Sequence, residues 1–244
     1  MRPELSLVIP TYNERENIEE ILLATVDALG GRAFEIIVVD DNSPDRTCEI
    51  IERVAATTPS IRLVRRMEGH RDQAHAIMEG FRVSTGEILG KIDADGSHDP
   101  RALAQLIGAI DAGFEVAIGS RYSRGATISS WPLQRRILSK VSTAVVRAAI
   151  RLKIEDPLSG FWVIRREVYE RAAKFPVSGG FKVLLQLCVR GRVRRIAEVP
   201  IHFRDRTRGR TKLRSRLLFQ SLAMVISLAA ANLHRSTKQG TYDE

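Results

Sequence analysis

Short apolar runs alternate with helix-spaced apolar residues through the first 120 positions of the chain. Residues 5–9 read as a strand closed by Pro10. Ile18, Ile21, Leu22, Val26 and Leu29 then recur at helical spacing behind Glu14, Glu16, Glu19 and Glu20. Gly30-Gly31 closes that helix. Residues 36–39 form a continuous apolar run, the pattern of a strand covered on both faces. Further strands are expected at 61–64, 88–92 and 116–118, with helices near 45–57, 74–84 and 100–112. Asp99-Pro100 supplies the cap and first turn of the last helix. The alternation predicts an α/β fold with a doubly wound, mostly parallel sheet.

Composition narrows the class. A chain of 244 residues, 44% apolar and 27% charged, buries a full core and is neither disordered nor fibrous. Cys48 and Cys188 form no metal spacing and no disulfide framework, which favours a reducing setting. The first strand begins too early to leave room for a signal peptide.

Charge changes the picture more. The net +9 suggests a polyanion partner, but residues 1–120 carry 12 Lys and Arg against 21 Asp and Glu. Residues 121–244 carry 26 against 8. One half is acidic and the other strongly basic. Aromatic residues are 6% of the chain and no nucleic-acid signature is present, so a nucleic-acid-binding protein is the weaker alternative.

In doubly wound sheets, ligands bind beyond the carboxyl ends of the strands. Three polar clusters are placed there: Thr11-Tyr12-Asn13-Glu14, Asp40-Asp41-Asn42-Ser43 and Asp93-Ala94-Asp95. No glycine-rich phosphate loop accompanies them, so an acidic pocket needs a cation before it holds a phosphorylated ligand. Asp93 and Asp95 point the same way if extended and would then share Mg2+ or Mn2+. The alternative is a solvated acidic turn capping the helix at Pro100. Asp41 is suited to a ribose or base edge and Tyr12 to stacking on a base. Either could instead serve the next helix or the loop.

These residues resemble a known family. Val8-Ile9-Pro10-Thr11-Tyr12-Asn13-Glu14, Val39-Asp40-Asp41-Asn42-Ser43-Pro44-Asp45, Asp93-Ala94-Asp95 and Gly119-Ser120-Arg121-Tyr122 look like the signature of inverting GT-A (Rossmann-like) glycosyltransferases of family 2. Asp156-Pro157-Leu158-Ser159-Gly160-Phe161, Gly180-Phe181-Lys182 and Phe203-x-x-Arg206-x-x-Gly209-x-Thr211-Lys212-Leu213 narrow the resemblance to dolichol-phosphate (polyprenol-phosphate) mannose synthases. The resemblance implies a catalytic domain over 1–213, a nucleotide-sugar donor (normally GDP-mannose) and a polyprenyl monophosphate acceptor. By position it puts Pro10, Tyr12, Glu14, Val39, Asp41, Asp93, Ala94 and Lys182 on the nucleotide sugar. Asp93 and Asp95 hold the metal, and Ser97 stands where some relatives place a glutamine ligand. Arg121, Arg135, Arg206 and Lys212 surround the acceptor phosphate, and these four with Asp95 form the catalytic set. A UDP-sugar donor of the glucose type is the alternative within the class.

The basic half suits a lipid phosphate. Arg204, Arg206, Arg208, Arg210, Lys212, Arg214 and Arg216 alternate, so an extended chain sets every charge on one side. Such a stretch is either a solvated basic loop or one that orders over bound phosphate. In the helical stretch 135–152, Arg136, Lys140, Arg147 and Arg151 fall within about 60°. Ile137, Val141, Val145, Ala148 and Leu152 form the neighbouring apolar arc. That pattern fits a helix lying on an anionic membrane, or a surface helix with a core-facing stripe. Trp131 just upstream would serve as an interfacial anchor. Residues 217–233 are uncharged and span about 26 Å at ~1.5 Å per residue. They predict a C-terminal interface-lying or domain-packed helix within 214–244, in preference to a membrane span. The expected place is the cytoplasmic face of a membrane, peripheral or with one weak C-terminal anchor.

Overall fold

The computed structural model describes residues 3–68, 72–129, 131–150, 153–176 and 183–205. The chain runs β1 (Leu5–Thr11), α1 (Ile18–Ala28), β2 (Phe34–Asp40), α2 (Thr47–Thr57), β3 (Ile61–Arg65), α3 (Gln73–Val83) and β4 (Ile88–Lys91). A 3-10 turn (Pro100–Ala102) leads into α4 (Leu103–Asp111), followed by β5 (Val116–Ser120), β6 (Thr127–Ser129) and α5 (Leu133–Ile150). Then come β7 (Trp162–Arg165), α6 (Arg166–Ala172), α7 (Val183–Arg190), β8 (Ile196–Pro200) and β9 (His202–Arg204). All five strands expected from the apolar runs are present.

Seven strands form one sheet in the order β3-β2-β1-β4-β7-β5-β8, and β6 pairs with β9 in a small second sheet. Every pairing in the large sheet is parallel except those of β7, which runs antiparallel between β4 and β5. The strand order reverses between β1 and β4, the switch point at which such sheets open a ligand crevice. Because β7 runs the other way, its first residues share an edge with the carboxyl ends of β4 and β5. Trp162 pairs with both Lys91 and Ile118.

Side chains of β1 alternate between two cores. Leu5, Leu7 and Ile9 pack with Ile18 and Leu22 of α1, Ile51 of α2 and Leu103 and Ile107 of α4. Val8 packs on the other face with Ile37, Val39, Phe81 of α3 and Leu184 of α7. Both faces are therefore covered, which is why the strands read as unbroken apolar runs. Gly80 lets α3 lie against the sheet, since a Cβ there would stand 2.6 Å from Val8. Asp99 accepts from the backbone N–H of Arg101 and Pro100 fills the first turn, as the pair's sequence indicated. Burial, the leading cause in each case, pushes both thiols up to about 12, which disfavours the thiolate form.

The boundary at 213/214, the alternating basic stretch beyond residue 205 and the segment 217–233 lie outside the described residues. Among the described residues, no helix is long and apolar enough to cross a membrane.

Candidate active site

Two loops at the carboxyl edge are tied together by Asp40. Its fully buried carboxylate accepts from the Ser43 backbone N–H (2.8 Å), the Ser43 hydroxyl (2.6 Å) and the Thr11 hydroxyl (3.0 Å). Asn13 in turn donates its backbone N–H to Ser43 (2.9 Å), and Glu14 donates its own to Thr47 (3.1 Å). This clamp fixes the edge on which Pro10, Tyr12, Glu14 and Asp41 sit. Tyr12 is exposed. Asn17 donates to the Glu14 carboxylate at 3.0 Å.

Asp41 already has a cationic partner, Arg66, just past the end of β3. Burial nevertheless leads and raises its pKa, with Arg66 only partly offsetting it. Val39 is wholly buried against α3, and Ala94 is buried in the opposite core. Either can therefore meet a nucleoside only through its backbone.

The Asp93-Ala94-Asp95 stretch departs from the extended geometry anticipated for it. β4 ends at Lys91, and Ala94 and Asp95 lie in a turn followed by Gly96 at φ +70. Strand alternation therefore does not align the two carboxylates; the turn places them. Asp93 Oδ1 accepts from Lys91 Nζ (2.5 Å) and from Gln73 Nε2 (2.7 Å), while His98 Nε2 stands 3.5 Å from Oδ2. Burial pushes the Asp93 carboxyl upward, but the Lys91 ammonium and the His98 contact outweigh it and hold it far below the usual range. Gly160 at the head of β7 is required here, because any Cβ would overlap Asp93 Oδ2.

Asp95 is buried and accepts the Ser97 backbone N–H at 3.1 Å. Asp93, Asp95 and the Ser97 hydroxyl are hard oxygen donors, the type that Mg2+ and Mn2+ take. Among the described residues no group of three His, Cys, Asp or Glu side chains forms a closed cage. One or two carboxylates completed by phosphate oxygens of a ligand are a common way of holding Mg2+, and this donor set is of that type.

The basic side of the site is built differently from a cluster of bare cations. Arg121, just after β5, makes a two-pronged contact with Asp156: Nε to Oδ2 and Nη2 to Oδ1, both 2.7 Å. Its backbone N–H donates to the same carboxylate at 2.9 Å. Burial lowers the Arg121 pKa, but Asp156 outweighs that and the net direction is up. Glu198 of β8 accepts from the backbone N–H groups of Glu155 (2.7 Å) and Asp156 (2.8 Å), fixing the Asp156 loop. Arg135 of α5 pairs with Asp205 at 2.6 Å and lies 4.6 Å over the Trp131 ring. Trp131 and Phe203 also flank the Arg121 guanidinium, at 5.7 and 5.5 Å.

Trp131 is accordingly not a membrane anchor; it is buried between two arginines and Phe203. Arg204 donates its backbone N–H to the Ser97 carbonyl at 3.1 Å, tying β9 to the turn that carries Asp95. The structure therefore brings Asp93, Asp95, Ser97, Arg121 and Arg135 to one edge. Lys182, Arg206 and Lys212 lie outside the described residues. Sequence reasoning passed over Lys91, Gln73, His98, Arg66, Asp205 and the pairing role of Asp156. Only Lys91 carried a signal, as a charge inside an apolar strand.

The pattern of glycosyl transferase family 2 matches residues 6–172. The chain belongs to that family. It is 38% identical over 227 residues to a dolichol-phosphate mannosyltransferase of Pyrococcus furiosus, covering 92% of this chain and 63% of that protein. The chain thus spans under two thirds of the archaeal relative's length. It is 36% identical to the polyprenol monophosphomannose synthase of Mycolicibacterium smegmatis, covering 85% of this chain and 80% of that one. A dolichol-phosphate mannosyltransferase of Saccharomyces cerevisiae is 32% identical, with 93% and 88% covered. Among solved structures, glucosyl-3-phosphoglycerate synthase from Mycobacterium tuberculosis, with Mn2+, uridine diphosphate and phosphoglyceric acid, superposes with a TM-score of 0.65. It is 22% identical, with 96% of this chain and 78% of that chain covered. This likeness shows the GT-A fold.

Proposed function

We propose that the chain is an inverting, divalent-metal-dependent glycosyltransferase that moves mannose from GDP-mannose to a polyprenyl monophosphate. The observation that carries this reading is the single edge where the Asp93/Asp95 turn meets Arg121 and Arg135. Carboxylates suited to a metal–diphosphate stand beside guanidinium groups suited to a second phosphate. The names of the three relatives agree with that acceptor chemistry.

The reaction forms a bond between the anomeric carbon and an acceptor phosphate oxygen. The bond from that carbon to the donor diphosphate breaks, and the nucleoside diphosphate leaves with the electron pair. In-line attack inverts an α-linked donor to a β-linked product. The acceptor phosphate is already ionised at pH 7, so no side chain has to remove a proton. A divalent ion held by Asp93 and Asp95 would supply charge neutralisation at the leaving diphosphate. Arg121 commits two N–H donors to Asp156 and retains others of its fork for an anion. Its pairing fixes the guanidinium in advance, so orientation is set before the acceptor arrives. In this reading Asp41 and Tyr12 receive the ribose and base.

Donor exchange tests the sugar assignment. GDP-mannose should support turnover at least 100-fold faster than UDP-glucose. Turnover with UDP-glucose and none with GDP-mannose would overturn the donor assignment.

The exposed face of α5 supports a peripheral place on the membrane. Leu133 (71% exposed), Ile137, Leu138 (65%), Val141 and Val145 point away from the body, while Thr143 and Val146 face it. The apolar arc is therefore not a core-facing stripe. Arg136, Lys140 and Arg147 flank it, the arrangement of an interfacial helix on an anionic surface. Sedimentation with vesicles containing an anionic lipid should capture the chain, and Leu138→Glu should weaken capture about tenfold or more. Equal capture of the variant would contradict the placement.

A further inference from the structure

Lys91 is a buried charge at this edge that the reaction as described does not use. It sits in the last position of β4, hydrogen-bonded between β1 and β7, with Val8 and Trp162 as its neighbours in register. It is only 2% exposed. An ammonium in an interior strand is costly unless a partner meets it, and a methionine would fill similar volume without that cost. The partner is Asp93, the first carboxylate of the metal-binding turn, at 2.5 Å. The surroundings are fitted to the pair. Gln73 supplies a second donor to the same oxygen at 2.7 Å. Gly160 withholds a Cβ that would overlap Asp93 and come 3.1 Å from Lys91 Nζ.

The affinity of an oxygen-ligand site for a divalent cation follows the negative charge its ligands bring. Asp93 and Asp95 together bring two charges, and Lys91 cancels one of them before any ion arrives. We propose that Lys91 is a resident counter-cation that keeps the empty turn from binding a divalent ion tightly by itself. The ion then enters with the donor diphosphate, whose phosphates supply the charge that Lys91 has removed. Lys91 is thus a positioning and gating residue, touching neither sugar nor acceptor. The inference rests on the divalent-metal reading proposed above.

Mn2+ binding to the full chain tests it, read from the loss of the free-ion electron paramagnetic resonance signal with and without GDP. In the wild type, GDP should tighten Mn2+ binding by at least 100-fold. Lys91→Met should tighten binding in the absence of GDP tenfold or more, shrinking the GDP effect by the same factor. Lys91→Arg, which keeps the charge, should restore the wild-type ratio. If Lys91→Met does not fold, Lys91→Gln removes the charge while keeping a hydrogen-bond donor, and the same tightening is expected. Unchanged or weaker Mn2+ binding by the folded neutral variant without GDP would overturn the inference. Asp95→Asn separates that failure from failure of the metal reading. Loss of GDP-supported Mn2+ uptake in Asp95→Asn upholds the metal site even if the Lys91 variants behave as wild type. A wild type that takes up no Mn2+ with GDP overturns both.

Discussion

Asp156→Ala should lower the stability of the folded chain by about 3–5 kcal/mol, because it strands a buried guanidinium. Asp156 is fully buried, accepts three N–H groups of Arg121, and its loop is held by the Glu155 and Asp156 backbone N–H groups donating to Glu198. Removing the carboxylate leaves Arg121 desolvated among Tyr122, Trp131 and Phe203 with no counter-charge. Urea denaturation measures the loss directly. The paired change Arg121→Met with Asp156→Leu should recover most of it, since an apolar pair of similar volume does not need an ionic partner. It should nevertheless remain inactive, because the acceptor-side guanidinium is gone. A single Asp156→Ala variant within 1 kcal/mol of wild type would show that the pair is not the anchor described.

The second large effect concerns chemistry with the fold intact. Asp95→Asn keeps an oxygen that can accept the Ser97 backbone N–H, so the turn should hold and the melting temperature should change little. What it removes is one unit of charge from the donor set at the diphosphate. A bound metal supplies several kcal/mol of leaving-group stabilisation, so turnover should fall about 10³-fold. Raising Mn2+ should not rescue it. Asp95→Ala should behave alike, with some added loss of stability from the missing acceptor. Wild-type turnover of either variant in excess Mn2+ would remove Asp95 from the metal site.

Much of the sheet was legible because parallel strands covered on both faces must be apolar throughout, as at residues 36–39. Asp99-Pro100 announced its helix through local chemistry alone. β7 was not legible in the same way. Its three apolar residues before Arg165 are a run like any other, and nothing local specifies that it enters antiparallel between β4 and β5. That insertion brings Gly160, just ahead of β7, beside Asp93, although the two are far apart in sequence. Asp93, Asp95, Tyr12 and Asp41 were singled out because strand ends are where ligands bind. The charge partners of Asp41, Arg121 and Arg135 were not legible, since Arg66, Asp156 and Asp205 meet them across 25, 35 and 70 residues. The helical arc on α5 was visible as amphipathic, but its direction was not. Periodicity gives a face and not what lies opposite it, and here the buried side is the polar-flanked one at Thr143 and Val146.

The opposed charges of the two halves also take a more specific form. The acidic half contains its own buried cation, Lys91, and the described part of the basic half contains its own buried anion, Asp156. Under the proposed function, the groups that would receive the two anions are thus held in place before either binds.

The most direct test of mannosyl transfer to a lipid phosphate is incubation of the full chain with radiolabelled GDP-mannose, polyprenyl phosphate and Mg2+ or Mn2+, followed by organic extraction. Label should enter the organic phase only when both polyprenyl phosphate and a divalent ion are present. Label that stays in the aqueous phase under those conditions, or reaches the organic phase without the acceptor, would contradict the account.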